Sequence, residues 1–335
     1  MITNPRQVRL GFIGCGGHSG RHADVVMKMS HDYRIAGAFD LKNDIVDNFI
    51  KSRKAYPCYV ESRDLEKFLS ISEIEAVLIG TPHKFHLEQA EAAVRAGKHV
   101  LCEKPLWEGH GGEKDFKRIF REAAEKKLVF SSCHLRRYEK EYMYVKEHIG
   151  DYFERFGQAL EFRFQFFYHE PSTGWKMNDS LLLDHMNHEI DLVHFMFGHS
   201  PTHFWRLSHG FDEYRVAGRT ENGLAIWFTG YRKLKSHTFR NELELIFERG
   251  RIRTEVVLNS TTGMVSSQVS EVSFEDDSEN VTRFRAHSYD DALVGVMTNF
   301  ADAIRGRDES YLTTQDMLCN TTICNDLIVN EYGNT

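Results

Sequence analysis

The sequence has no apolar run approaching the roughly 20 residues that a membrane-spanning helix needs. Its opening segment, MITNPRQVRLGFIGCGG, has no apolar core followed by a small-residue cleavage site. Neither a membrane partner nor a secretory route is expected. Basic charge is not in excess either. The 42 Lys and Arg against 49 Asp and Glu give a formal net charge of −7, which excludes nonspecific binding to nucleic acid or anionic membrane as the main business of the chain. Proline is scarce, 6 in 335 residues, and no Pro/Ser/Gly-rich tract interrupts the chain, so no long disordered linker is expected. The 6 cysteines, Cys15, Cys58, Cys102, Cys133, Cys319 and Cys324, form no CxxC pair and have no zinc-finger spacing. They read as reduced thiols of a cytoplasmic protein, with no metal site. What is present, 41% hydrophobic and 27% charged residues, is ordinary for a globular chain of about two domains.

The first 130 or so residues alternate strand-like and helix-like segments. Apolar runs at Val8–Ile13, Tyr33–Phe39, Ala76–Ile79, His99–Cys102 and Leu128–Cys133 are separated by helical stretches at 21–29, 43–54, 86–96 and 113–127. Unbroken apolar runs fit strands covered on both faces, and the alternation predicts a doubly wound parallel sheet with right-handed crossovers. The pattern then changes. QALEFRFQFFY, residues 158–168, sets Phe162, Phe164, Phe166 and Tyr168 on one face and Glu161, Arg163 and Gln165 on the other, as in a half-buried strand. Further strands at 203–207, 223–231, 242–248 and 252–257, with an Asn-Gly turn at 222–223, predict a mostly antiparallel, open-faced sheet. Helices are expected at 182–197, 292–305 and 314–330. The expected organisation is a nucleotide-binding-type domain over 1–133 and an α+β domain over 134–335.

Three segments carry chemistry. Gly14-Cys15-Gly16-Gly17-His18-Ser19 follows the first strand and fits G-x-G-x-x-S. Glycines there let the backbone turn tightly against a pyrophosphate, and the next helix offers its N–H groups and dipole to the anion. Asp40 ends the second strand, 26 residues beyond Gly14. A carboxylate in that place accepts from a ribose 2′-OH and repels a 2′-phosphate, which favours NAD; nearby Lys42 keeps NADP open. Without a ligand, the same pieces make a tight turn and a surface aspartate. Second, Thr81-Pro82-His83 and Glu103-Lys104-Pro105 both follow apolar strands, at the strand carboxyl ends where open α/β sheets bind ligands. A lysine there stabilises developing alkoxide charge; a solvated ion pair is the plainer reading. Third, Asp184 and His188 lie four residues apart on one helical face. Histidine is the natural general base for a hydroxyl proton, with a carboxylate to orient it. The alternatives are a zinc site with Asp191, unsupported by HExxH or a cysteine cluster, and an amphipathic helix with its polar side in water.

In this order, these features resemble the Gfo/Idh/MocA oxidoreductase family, which includes glucose–fructose oxidoreductase and inositol dehydrogenase. The matching pieces are Gly14–His18, Asp40, Thr81–His86, Ala96–Leu106, His134–Tyr138 and Leu183–Leu192, with the Gly97–Leu106 stretch the most specific. The resemblance implies a Rossmann domain, a second domain with a large open sheet, and hydride transfer at a carbinol carbon of a sugar, cyclitol or nucleotide sugar. It makes Lys104 the catalytic lysine, His188 the acid/base and Asp184 its partner. It lines the cofactor with Gly14, Gly16, Gly17, His18, Ser19, Asp40, Leu41, Thr81, Pro82, His83, His86, Glu103 and Lys104. Arg136, Arg137, Trp175 and His185 are candidate substrate contacts, and a homo-oligomer, dimer or tetramer, is expected through the C-terminal sheet. Asp179-Ser180 stands where many relatives have glycines, and His185-Met186-Asn187 replaces smaller or apolar residues; Lys104 and His188 are intact. Two other classes share parts of this pattern: an NAD-dependent glycosidase, and a nonenzymatic nicotinamide-binding regulator, which has no need of Lys104, Asp184 and His188 together.

Overall fold

Wholly apolar strands need cover on both sides, and the first sheet has it. The computed structural model describes residues 6–53, 64–169, 179–232, 238–259, 261–330 and 332–334; Cys58 and Trp175 lie outside them. The chain divides into two units, Met1–Cys133 with Leu293–Leu318, and His134–Ala292 with Cys319–Thr335.

The first unit runs β1 (Val8–Ile13), α1 (Gly17–Lys28), β2 (Tyr33–Phe39), α2 (Asn43–Ser52), α3 (Leu65–Leu69), β3 (Ala76–Ile79), α4 (His86–Arg95), β4 (His99–Cys102), α5 (Gly112–Glu125) and β5 (Phe130–Ser132). The strands form a parallel sheet in the order β2-β1-β3-β4-β5. The order reverses between β1 and β3, so the two chains leave that point in opposite directions and open a crevice at the strand carboxyl ends. β3 is buried at every position, as a two-sided strand must be.

The second unit runs α6 (Lys140–Glu147), α7 (Ile149–Phe156), β6 (Ala159–Phe167), α8 (Leu181–Phe197), β7 (Pro201–His209), β8 (Glu213–Thr220), β9 (Ala225–Tyr231), β10 (Thr238–Phe247), β11 (Gly250–Asn259), β12 (Met264–Ser273) and β13 (Glu279–Ser288). Then come α9 (Asp291–Ile304), α10 (Thr314–Val329) and β14 (Tyr332–Asn334). Its sheet has nine strands in the order β13-β12-β11-β10-β6-β9-β8-β7-β14. All described pairings are antiparallel except β6 with β9. Phe162, Phe164 and Phe166 enter one core with α8, and the polar alternates of β6 face outward, as their period of two requires. On that outer face Arg163 pairs with Glu161 and Glu244, and Arg253 with Glu242 and Glu255.

The structure differs from the sequence reading at residues 293–318, which pack with the first unit. Tyr33 Oη donates to the Met297 carbonyl at 2.5 Å, Arg305 pairs with Asp32 at 2.8 Å, and Leu312 and Met317 join the apolar cluster beside the parallel sheet.

Candidate active site

The first part of the site is the glycine turn. Gly14 has φ +85°, and a Cβ there would stand 2.7 Å from the Thr81 side chain, so only glycine fits at the crossing of the β1 and β3 loops. Beside Gly16 and Gly17 a Cβ would meet nothing within 4 Å. The N-terminus of α1 has no side-chain cap and no acidic residue in its first turn. Bare N–H groups, the positive end of a 12-residue helix and an empty shelf suit a pyrophosphate. Ser19, in the place of the third glycine, is fully buried, and a Cβ on Gly80 would stand 2.3 Å from its Oγ. The glycine that permits close packing has moved to the facing loop, and Ser19 packs rather than points at a ligand. Asp40 Oδ2 accepts from the Cys15 backbone N–H at 3.0 Å and Oδ1 from that of Lys42 at 3.1 Å, which fixes the carboxylate at the end of β2. Leu41 beside it is 65% exposed.

The second part is the loop after β4. Glu103 accepts from His22 Nε2 at 2.7 Å, and His22 sits on the inward face of α1. Burial pushes the Glu103 carboxyl up, but the His22 hydrogen bond and the His22, His18 and Lys104 charges outweigh it and hold the group well below the usual carboxylate range. Cys133 Sγ lies 3.8 Å from the same ring nitrogen. Burial, then the Glu103 charge, push this thiol above its ordinary value. His22, Glu103 and Cys133 are the kinds of groups that ligate metals. Their closest pair is at hydrogen-bond separation, 2.7 Å, whereas two ligands on a tetrahedral ion at about 2.0–2.1 Å each stand roughly 3.3 Å apart. His86, fully buried, reaches the Pro105 carbonyl with Nδ1 at 2.7 Å and the Thr81 carbonyl with Nε2 at 2.8 Å. His83 is buried edge-on to it, while Pro82 is exposed and Thr81 and Lys104 are half-buried.

The second unit, by itself, carries further candidates on α8. Ser180 caps it, its side chain accepting from the Leu183 N–H, and Gly198 ends it with φ +71°. The helix is not amphipathic in place: every residue from Leu181 to Val193 is buried, Asp184, His185, Asn187, His188, Glu189 and Asp191 among them. The alternative reading of a polar side in water does not hold, because this stretch of the helix is covered on every face. Buried polar groups need partners, and the structure supplies them for Asp191, His185 and Glu189 Oε1. Arg137 meets Asp191 with Nε at 2.8 Å and Nη2 at 2.7 Å, a two-pronged buried pair, and Asn320 donates to the same carboxylate at 3.0 Å. Arg136 Nη2 donates to His185 Nε2 at 2.9 Å. Since arginine only donates, His185 carries its proton on Nδ1 and gives it to Glu189 Oε1 at 2.9 Å; the Tyr214 hydroxyl donates to the same oxygen. His185 also stacks on Phe166.

His188, one turn beyond Asp184, sits edge-on between the His134 and His185 rings, at 5.7 and 5.8 Å. Three of the four substrate-contact candidates therefore have internal partners, and the fourth, Trp175, lies outside the described residues. The contributors not anticipated from sequence are His22, His134, Glu189, Tyr214 and Asn320. Only His22 leaves a signal: it falls three residues before Val25, on the apolar stripe of α1.

The first unit is thus a dinucleotide-binding Rossmann domain. Residues 8–134 match the Gfo/Idh/MocA model, described as an oxidoreductase family with an NAD-binding Rossmann fold. A segment of 191 residues, 56% of the chain, is 27% identical to 52% of an inositol 2-dehydrogenase/D-chiro-inositol 3-dehydrogenase from Halalkalibacterium halodurans. The fold is that of a UDP-N-acetylglucosamine 3-dehydrogenase from Acidithiobacillus ferrooxidans, with TM-score 0.76 and 18% identity over 98% of this chain and 99% of that one. It is also that of a scyllo-inositol dehydrogenase from Lactobacillus casei with bound NAD(H) and scyllo-inositol, with TM-score 0.73 and 18% identity over 95% of each chain. The chain spans about half the length, or less, of the curated relatives it matches. Among the described residues no helix is long and apolar enough to cross a membrane.

Proposed function

We propose that this protein is an NAD(P)-dependent oxidoreductase that moves a hydride between the nicotinamide and a carbinol or keto carbon of a sugar, cyclitol or nucleotide sugar. The observation that carries this reading is the joining of the glycine turn to the lysine loop. Glu103, next to Lys104, is bonded by His22 of α1 and acted on by the charge of His18 in the turn, so an anion shelf and a cationic side chain share one rim.

Gly16 and Gly17 with the first N–H groups of α1 would hold the pyrophosphate, and Asp40 the adenosine ribose. Its fixed carboxylate repels a 2′-phosphate and favours NAD. The nicotinamide, when bound, supplies the hydride acceptor. Lys104 donates a hydrogen bond to the substrate oxygen and stabilises its developing negative charge. His188, partnered by Asp184, takes the hydroxyl proton in oxidation and returns it in reduction. The inositol dehydrogenases among the similar proteins support a polyol substrate. A cytoplasmic setting suits Cys15, Cys102, Cys133, Cys319 and Cys324, all buried thiols. The outer face of the nine-stranded sheet, with Trp205, Trp227 and Leu207 exposed beside its charge ladder, suits pairing with a second copy.

The test is titration with NADH and NADPH by fluorescence, then a panel of inositols, sugars and nucleotide sugars followed by nicotinamide absorbance. The reading expects NADH to bind about tenfold or more tighter than NADPH, and turnover with at least one polyol. Binding of neither cofactor overturns it.

A further inference from the structure

We propose that His22 and His86 are positioning residues for Lys104: two buried imidazoles that hold the lysine's loop from either side and tie it to the two loops of the cofactor shelf. This rests on the reading of Lys104 as a group that meets substrate.

The geometry is symmetrical about the lysine. On its N-terminal side Glu103 is held by His22 Nε2 at 2.7 Å, from the helix that begins at the glycine turn. On its C-terminal side the Pro105 carbonyl is held by His86 Nδ1 at 2.7 Å, and the other nitrogen of that ring lies 2.8 Å from the Thr81 carbonyl. Both rings are buried, His22 to 1% exposure and His86 to none, so water does not compete for these bonds. Thr81 itself packs against Gly14, with its Cγ2 2.7 Å from where a Cβ would be, and its hydroxyl donates to Gln89 on α4 at 2.6 Å. The β1, β3 and β4 loops thus form one frame in which Lys104 is the central side chain.

Carbonyl oxygens only accept. A neutral imidazole has one N–H and serves one of them; the protonated ring serves both. Burial disfavours that charge and pulls the His86 pKa below the ordinary histidine value; the Pro105 and Thr81 carbonyls and Glu103 favour it, and Lys104 opposes it. The other titratable ring against it is His83, edge-on at 5.6 Å. Protonation therefore completes the bridge.

A lysine displaced by about 1 Å from its working position costs roughly 10²-fold in rate. The test compares His22→Phe and His86→Phe, which keep ring volume and lose the bonds, with His22→Gln, which keeps a donor for Glu103. The first readout needs no turnover: the pH profile of Lys104 labelling by an amine-reactive reagent, read by peptide mass spectrometry. Both Phe variants are expected to change the Lys104 labelling rate at least about threefold, to bind NADH within about threefold of wild type, and to lose roughly 10²-fold in kcat with substrate KM little changed. His22→Gln is expected to stay near wild type in all three. Should a Phe variant not fold, His22→Leu or His86→Leu, which also lose the bonds, replaces it under the same criteria. An unchanged Lys104 profile overturns the proposal, as does a loss of NADH binding that matches the loss of rate. Absence of turnover in wild type would overturn the proposed function and leave the labelling result to decide this one.

Discussion

Replacing Glu189 by glutamine should flatten the stability profile of the second unit at alkaline pH. Glu189 is fully buried on α8, and burial pushes its carboxyl up to about 8 from 4.5, against the Tyr214 hydrogen bond and the Arg136 charge. A raised carboxyl pKa means that the folded state holds the proton where the unfolded chain has lost it. Stability from this group is therefore full below the unfolded value and falls as pH rises from about 4.5 through about 8. Between about pH 6 and pH 9 the loss comes to about 2–3 kcal/mol. The substituted glutamine would keep an oxygen for the His185 Nδ1–H and the Tyr214 hydroxyl, and its amide nitrogen would stand where the neutral acid keeps its O–H. The variant should match wild type within about 1 kcal/mol near pH 6. The assay is urea unfolding at the two pH values, followed by tryptophan fluorescence, to which Trp205 and Trp227 of that unit contribute. Glu141, also pushed up to about 8 by burial, titrates in both proteins and cancels in the comparison. Wild type should lose about 2–3 kcal/mol more than Glu189→Gln across the interval. Equal losses would refute a buried neutral Glu189.

Three further outcomes follow from the same geometry. Asp191→Ala strands the buried Arg137 guanidinium and should destabilise the second unit by about 3–5 kcal/mol in urea unfolding; a loss under about 1 kcal/mol would show that the pair is solvated. Gly14→Ala forces a Cβ to 2.7 Å from Thr81 at φ +85°, and should weaken NADH binding at least about tenfold while the nine-stranded unit keeps its melting behaviour. Trp227→Glu on the outer face of β9, 43% exposed, should shift sedimentation of a dimer or tetramer towards monomer; an unchanged coefficient would move the contact elsewhere.

The parallel strands are legible because a strand covered on both faces is a mostly apolar run. Val8–Ile13, Tyr33–Phe39, Ala76–Ile79 and His99–Cys102 fall where their residues say. β12, MVSSQVSEVS, and β13, ENVTRFRAHS, escape because strands towards the sheet's edge carry little apolar signal. β8, EYRVAGRT, escapes because its buried positions include a tyrosine and a threonine. In the site, spacing alone brings Asp184 and His188 to one face, and the motif supplies Lys104. Spacing cannot say that α8 is buried from Leu181 to Val193, since six polar side chains in that stretch argue for water. That burial depends on Arg137, Asn320, Tyr214 and Arg136, which arrive from elements far away in the chain. For the same reason Arg136 and Arg137 read as substrate contacts in sequence and carry buried partners in the fold. The substitution of Ser19 for a glycine makes sense only once Gly80 is seen opposite it.

The most direct measurement is nicotinamide turnover by wild type, Lys104→Ala and His188→Ala on the polyol that wild type uses best, at saturating cofactor, with NADH affinity measured on all three. Each variant should lose about 10²–10⁴-fold in kcat while binding NADH as wild type does. Turnover in either variant equal to wild type would contradict the roles given to Lys104 and His188.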